Sequence, residues 1–173
     1  MAKILPVLLI LLSITLPTKA ALQTGRKVPE FQSKTARGYT LSYQKHFKNK
    51  VTLVVLSNYC SVELAGVWAI PLYYAFRKHT DFRFAFVFSR SCLPAYIPRA
   101  FVTRSLQNAQ KSLRLPYILM DWDNKVSRKL KADAQFTQIY LIDQQGTLQK
   151  RLLLKDPFTS PDTLKQSIQK LLN

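Results

Sequence analysis

Two stretches of this chain are apolar almost without interruption. Residues 51–57, V-T-L-V-V-L-S, are rich in β-branched side chains, the pattern of a strand covered on both faces. In D-F-R-F-A-F-V-F-S, residues 81–89, Phe82, Phe84, Phe86 and Phe88 share one face while Ala85 and Val87 share the other, which predicts a second buried strand. Between them Leu64, Val67, Trp68, Leu72 and Phe76 recur at helical spacing from residue 61 to about residue 78, with Pro71 inside the pattern predicting a kink. Trp68 and Tyr73 read as core residues, and His79 closes the helix among basic residues that suit its dipole. A strand, a helix and a strand in this order predict a right-handed parallel βαβ unit, whose loops after each strand open on the same edge of the sheet.

The rest of the pattern fills out one α/β domain. Residues 28–31 and 38–41 predict two short strands joined by a polar turn, followed at 41–50 by a polar connection with His46 on the surface. Residues 98–113 predict a helix with Pro98 near its first turn, and 115–120 a short strand. A basic amphipathic helix follows at 121–132, with Asp123 as N-cap and Val126 and Leu130 turned inward. Residues 137–142 and 148–154 flank Asp143-Gln144-Gln145-Gly146 as a hairpin, and Ser160-Pro161-Asp162 opens a last helix with Leu164, Ile168 and Leu171 as its buried stripe. No internal repeat or linker interrupts the sequence.

The N-terminus changes where this domain is expected to work. Met-Ala-Lys, an apolar run at 4–16 and the small residues Thr18 and Ala20 predict a secretory signal peptide over residues 1–20, cleaved after Ala20 to leave 21–173 as one periplasmic or secreted domain. The apolar run is short for a membrane span, and an uncleaved anchor is the alternative. The net charge of +17 is spread in ones and twos, densest at Lys125, Arg128, Lys129 and Lys131. For an exported chain it reads as a solvated basic surface that associates weakly with an anionic envelope, not as a nucleic-acid footprint. Two distant histidines and two cysteines lack metal-ligand spacing, and no phosphate loop is present, so neither a metal nor a cofactor is expected.

The chemistry rests on the cysteines. Cys60 stands where the first buried strand gives way to helical spacing, so helical N–H groups and the macrodipole are expected to favour its thiolate. Cys92 follows the second buried strand. An oxidising compartment allows the two to pair, and if their strands are parallel neighbours their Cα atoms should come within about 7 Å, the outer limit for a bridge.

Several local sequences then carry a resemblance. Pro29-Glu30-Phe31, the strand leading into Cys60, Ile70-Pro71, Leu115-Pro116 before a strand and Tyr140-Leu141-Ile142-Asp143-x-x-Gly146 resemble the thioredoxin-like redoxins, closest to exported TlpA/ResA-type thiol-disulfide oxidoreductases and to peroxiredoxins. The resemblance spans residues 26–173 and implies a thioredoxin-like α/β fold with a central mixed sheet flanked by helices. It also implies Cys60 as the nucleophilic position and protein thiols or disulfides of exported proteins as partners. Cys92 is the candidate resolving thiol. The family's Cys-x-x-Cys is absent, since Glu63 occupies the second position and its carboxylate opposes a Cys60 thiolate. The family's cis-proline aligns with Thr137. Ser57-x-x-Cys60-x-x-Glu63 resembles the peroxiredoxin Thr/Ser-x-x-Cys-x-x-Glu, in which the hydroxyl orients peroxide, but Leu53 stands where that family has proline and its arginine again aligns with Thr137. Arg90, in the adjacent loop, is the candidate to supply that cation. The leading expectation is a divergent thiol-disulfide redox protein. The alternatives are a non-catalytic binding or assembly module stapled by Cys60–Cys92, and a peroxidase.

Overall fold

Two parallel strands form the axis of the molecule. β3 (Val51–Asn58) and β4 (Phe82–Ser89) lie side by side, in register from Val51 opposite Phe82 to Asn58 opposite Ser89. The computed structural model describes residues 21–155 and 160–173; the expected signal peptide at 1–20 lies outside the described residues. Around this pair, β1 (Gln32–Thr35), β2 (Thr40–Ser42), β5 (Ile118–Asp121), β6 (Thr137–Ile142) and β7 (Leu148–Leu154) complete a seven-stranded mixed sheet in the order β2-β1-β5-β4-β3-β6-β7. β5 runs parallel to β4, whereas β6 runs antiparallel to β3.

Every residue of β3 is buried, because helices cover both of its faces. On one face Leu53, Val55 and the four phenylalanines of β4 pack under α2 (Val62–Phe76), α3 (Arg99–Ser112) and α5 (Asp162–Leu172). On the other, Val54, Leu56, Ala85 and Val87 meet Phe31, Phe47, Val126, Leu130 and Tyr140, with α1 (Tyr43–His46) and α4 (Lys125–Lys129) on this side. The alternation within 81–89 therefore divides as its sequence predicts.

Local departures have local causes. Residues 28–31 are not a strand: after an isolated bridge from Lys27 to Thr147 the first strand begins at Gln32, while Val28 and Phe31 are buried beneath the sheet and Pro29 has no N–H for a ladder. The stretch at 41–50 contains a short helix instead of a purely polar connection. Ser42 caps it by accepting the Lys45 N–H, and Tyr43 and Phe47 pack against Phe31 with ring centroids 5.5 and 6.5 Å away. Pro71 sits inside α2, and the buried stripe of that helix is Ala65, Trp68, Ala69, Leu72 and Phe76; Val67 falls off the stripe and is 59% exposed.

The strand expected at 115–120 starts two residues past Pro116 and ends at Asp121. Asp121, not Asp123, organises the next turn. Its buried carboxylate accepts the Val126 N–H (3.0 Å), the Ser127 N–H (2.8 Å) and the Ser127 hydroxyl (2.6 Å), whereas Asp123 is exposed beside Lys125. Helix α4 is accordingly shorter than the predicted 121–132, though Val126 and Leu130 do point inward.

Candidate active site

The end of β3 builds the first half of the site. Asn58 is buried, and its Oδ1 accepts the N–H groups of Cys60 (2.9 Å) and Ser61 (3.1 Å) and lies 3.1 Å from the Ser61 hydroxyl. Its Nδ2 donates to the Ala134 carbonyl at 2.8 Å, fastening the Cys60 turn to the segment entering β6. An asparagine that bonds its own backbone two residues ahead is a turn former, which explains why the strand stops here and the helix begins at Val62. Cys60 thus lies one residue before the N-cap, Ser61. The amides of Cys60 and Ser61 are thus both engaged by Asn58.

The second half follows β4. Ser89 ends that strand and its hydroxyl accepts the Ser91 N–H at 3.2 Å; Cys92 then adopts φ +67°, a left-handed conformation uncommon for a residue with a Cβ. Cys60 and Cys92 form a disulfide with their Cα atoms 5.9 Å apart, inside the limit expected from adjacent parallel strands. Both residues are solvent-exposed. The Cys60 sulfur also lies 3.8 Å from the Cys92 carbonyl oxygen, whose negative end disfavours a thiolate there once the bond is reduced.

A cluster of hydroxyl groups lies where β3, the start of α2 and β6 meet. Ser57 and Thr137 are fully buried with their hydroxyls 2.7 Å apart. The Ser61 hydroxyl lies 3.1 Å from that of Ser57 and 2.9 Å from that of Thr137, and the Thr137 hydroxyl lies 3.0 Å from the Ser61 carbonyl. The cluster ties the start of α2 to the first residue of β6. Glu63 is exposed in the first turn of α2 and takes part in no ion pair among the described residues. Of the residues singled out from sequence, the fold joins Cys60 to Cys92 and Ser57 to Thr137, and leaves Glu63 facing solvent. Asn58 and Ser61 were not anticipated. The signal for them was an asparagine at the end of a buried strand, two residues before a cysteine.

No protein-family model matches the sequence, and no curated protein does. Solved structures do match over most of the chain. A secreted Mycobacterium tuberculosis disulfide oxidoreductase, described as homologous to E. coli DsbE, is 14% identical with a TM-score of 0.61, covering 82% of this chain and 96% of its own. The thioredoxin domain of a thiol-disulfide oxidoreductase from Bacteroides vulgatus is 20% identical with a TM-score of 0.64, covering 88% and 100%. A peroxiredoxin-like protein from Aquifex aeolicus is 11% identical with a TM-score of 0.66, covering 88% and 89%. The chain has a thioredoxin-like fold, a mixed sheet flanked by helices.

Proposed function

We propose that this is an exported thiol-disulfide redox protein that works through the Cys60–Cys92 pair. The observation that carries the reading is an exposed disulfide joining the loops after the two central parallel strands, and the resemblance to the redoxins supports Cys60 as the nucleophile. In the reducing direction the Cys60 thiolate attacks a substrate disulfide, forming a Cys60–substrate mixed disulfide and releasing one substrate thiolate. The Cys92 thiolate then attacks the Cys60 sulfur, closing Cys60–Cys92 and releasing the second substrate thiolate, which takes up a proton. Two electrons pass to the substrate, and an external dithiol reopens the pair. Export is supported by the signal-like segment at 1–20 and by the oxidising compartment that a paired state requires. Partners are protein thiols or disulfides of exported proteins.

The second reading is a non-catalytic module in which the disulfide is a staple. It is favoured by the Asn58 side chain occupying the amides near Cys60, by the Cys92 carbonyl beside the sulfur and by the absent Cys-x-x-Cys. Peroxidase chemistry has less support, because the Ser57 hydroxyl that should orient peroxide is buried and engaged with Thr137 and Ser61.

Redox equilibration separates the first two. A working pair exposed at both sulfurs should equilibrate with glutathione buffers at a potential above about −300 mV, whereas a staple should resist reduction and lie below it. A potential well below that value, with no turnover of disulfide or peroxide by reduced protein, would leave the binding-module reading in its place.

Glu63 bears on the rate. Its exposed carboxylate one turn from Cys60 opposes the thiolate, so Glu63→Gln in a Cys92→Ser background should speed iodoacetamide alkylation of Cys60 at neutral pH by about two- to threefold, an effect that fades in high salt. Alkylation rates across pH, compared with Cys92→Ser alone, check this.

A further inference from the structure

A cleft of about 280 Å³, lined mostly by residues with polar side chains, opens on the α4 face of the sheet next to the two cysteine loops. It touches both cysteine loops: Asn58, which holds the Cys60 amide, and Ser91, the neighbour of Cys92, both line it. Its interior is built. Asn58 and Ser89 are each 2% exposed, and the Ser89 hydroxyl lies 2.9 Å from Asn124 Oδ1 and 3.0 Å from the Ser91 hydroxyl, so the cleft wall and the Cys92 loop form one hydrogen-bonded unit. The exposed cations Arg128 and Lys131 line the same cleft, and among the described residues neither forms an ion pair. The one carboxylate there, Asp133, accepts the Gln135 N–H and keeps its charge, so that with Arg128 and Lys131 the lining carries a net +1 (+2 − 1).

Resting on the redox reading above, we propose that this cleft selects substrates, and that its ligand is a carboxylate group flanking the target disulfide. An arginine fork matches carboxylate geometry, a lysine adds a second positive charge, and cations set beside a reacting sulfur raise the encounter rate of anionic partners. The carboxylate could belong to an acidic stretch of a polypeptide or to a small disulfide such as oxidised glutathione. The chemistry is the same in both, and the two are separated by experiment.

The test measures second-order rate constants for reduced full-length protein with disulfide-linked model peptides flanked by Glu, by Gln or by Lys, and with oxidised glutathione, at low and high NaCl. The wild type should prefer the Glu-flanked over the Lys-flanked peptide by about tenfold at low salt, with the preference shrinking as salt rises. The variant R128E/K131E should lose or invert that preference, each rate being read as a ratio to that with the Gln-flanked peptide in the same protein, where measurable exchange shows that the site still folds. The variant K165E/K170E changes net charge equally on α5, against the opposite face, and should retain the preference. Sensitivity of the Glu-peptide rate or the glutathione rate to R128E/K131E supports the proposal and names the source of the carboxylate. Equal rates for all peptides, or an equal loss in K165E/K170E, would overturn the cleft while leaving thiol exchange standing. No exchange with any substrate would overturn both.

Discussion

Reduced protein carrying Cys92→Ser is expected to stop at the first step of exchange and to accumulate a one-to-one mixed disulfide with its substrate through Cys60. In a Cys-x-x-Cys protein the resolving thiol sits one helical turn away on the same element. Here it comes from a different loop, 32 residues further along the chain, and the reach between the two depends on the parallel register of β3 and β4 that sets their Cα atoms 5.9 Å apart. Without Cys92 nothing within that reach can displace the substrate, since the chain has no third cysteine. Cys60→Ser should give neither adduct nor turnover, with insulin-type disulfide reduction falling to the uncatalysed rate. Mass spectrometry of acid-quenched reactions reads the outcome directly. An adduct on Cys92 in the Cys60→Ser protein, with none on Cys60 in the Cys92→Ser protein, would reverse the assigned roles; no adduct on either would remove the redox function.

The approach of those two sulfurs could be read from the sequence because it follows from topology. Two buried strands separated by one helix pair in parallel, and their exit loops then share an edge, so the position of Cys92 opposite Cys60 needed no side-chain detail. The hairpin at 137–154 was equally legible, since two runs of strand-forming residues around an Asp-x-x-Gly turn specify both strands and their connection; Gly146 at φ +78° lies in that turn, where its absent side chain also leaves room for the Tyr43 hydroxyl. What escaped depends on particular hydrogen bonds between segments distant in sequence. Nothing local to Asn58 says that its side chain will take the Cys60 and Ser61 amides and reach Ala134, or that Thr137 will meet Ser57 across 80 residues. The α4 cap escaped for a related reason: Asp121 and Asp123 are equally good caps by residue type, and only the end of β5 beside β4 decides that Asp121 is the buried one. The hidden apolar anchors Tyr43 and Phe47 were masked by the polar residues Gln44, Lys45 and His46 between them.

The fold should lose stability steeply between about pH 10 and pH 12, because two tyrosines buried in it are held protonated beyond the range of an unfolded chain. Tyr140 is fully buried in β6, and burial pushes its hydroxyl up to about 12 despite the opposing pull of Arg151. Tyr43 is 4% exposed, and burial, aided by the Asp143 carboxylate, raises it to about 12 as well. As pH passes 10 the unfolded chain releases these protons while the folded chain retains them. The unfolded state is stabilised, and the folded state loses ground until both ionise near 12. A two-unit gap corresponds to about 2 to 3 kcal/mol for each tyrosine, so the pair is expected to remove a large part of a typical domain's 5 to 15 kcal/mol. The phenylalanine variants separate this from general alkaline damage. Among the described residues the Tyr43 hydroxyl has no hydrogen-bond partner, so Tyr43→Phe should be neutral or slightly stabilising at pH 8. The Tyr140 hydroxyl lies 2.9 Å from Gln138 Oε1, an acceptor also served by Arg151, so Tyr140→Phe should cost only about 1 kcal/mol at that pH. Urea midpoints of the disulfide-intact proteins at pH 8 and pH 11 provide the check: wild type should fall sharply, each single variant about half as far, and the double variant least. An equally steep fall in the double variant would assign the alkaline transition to other groups.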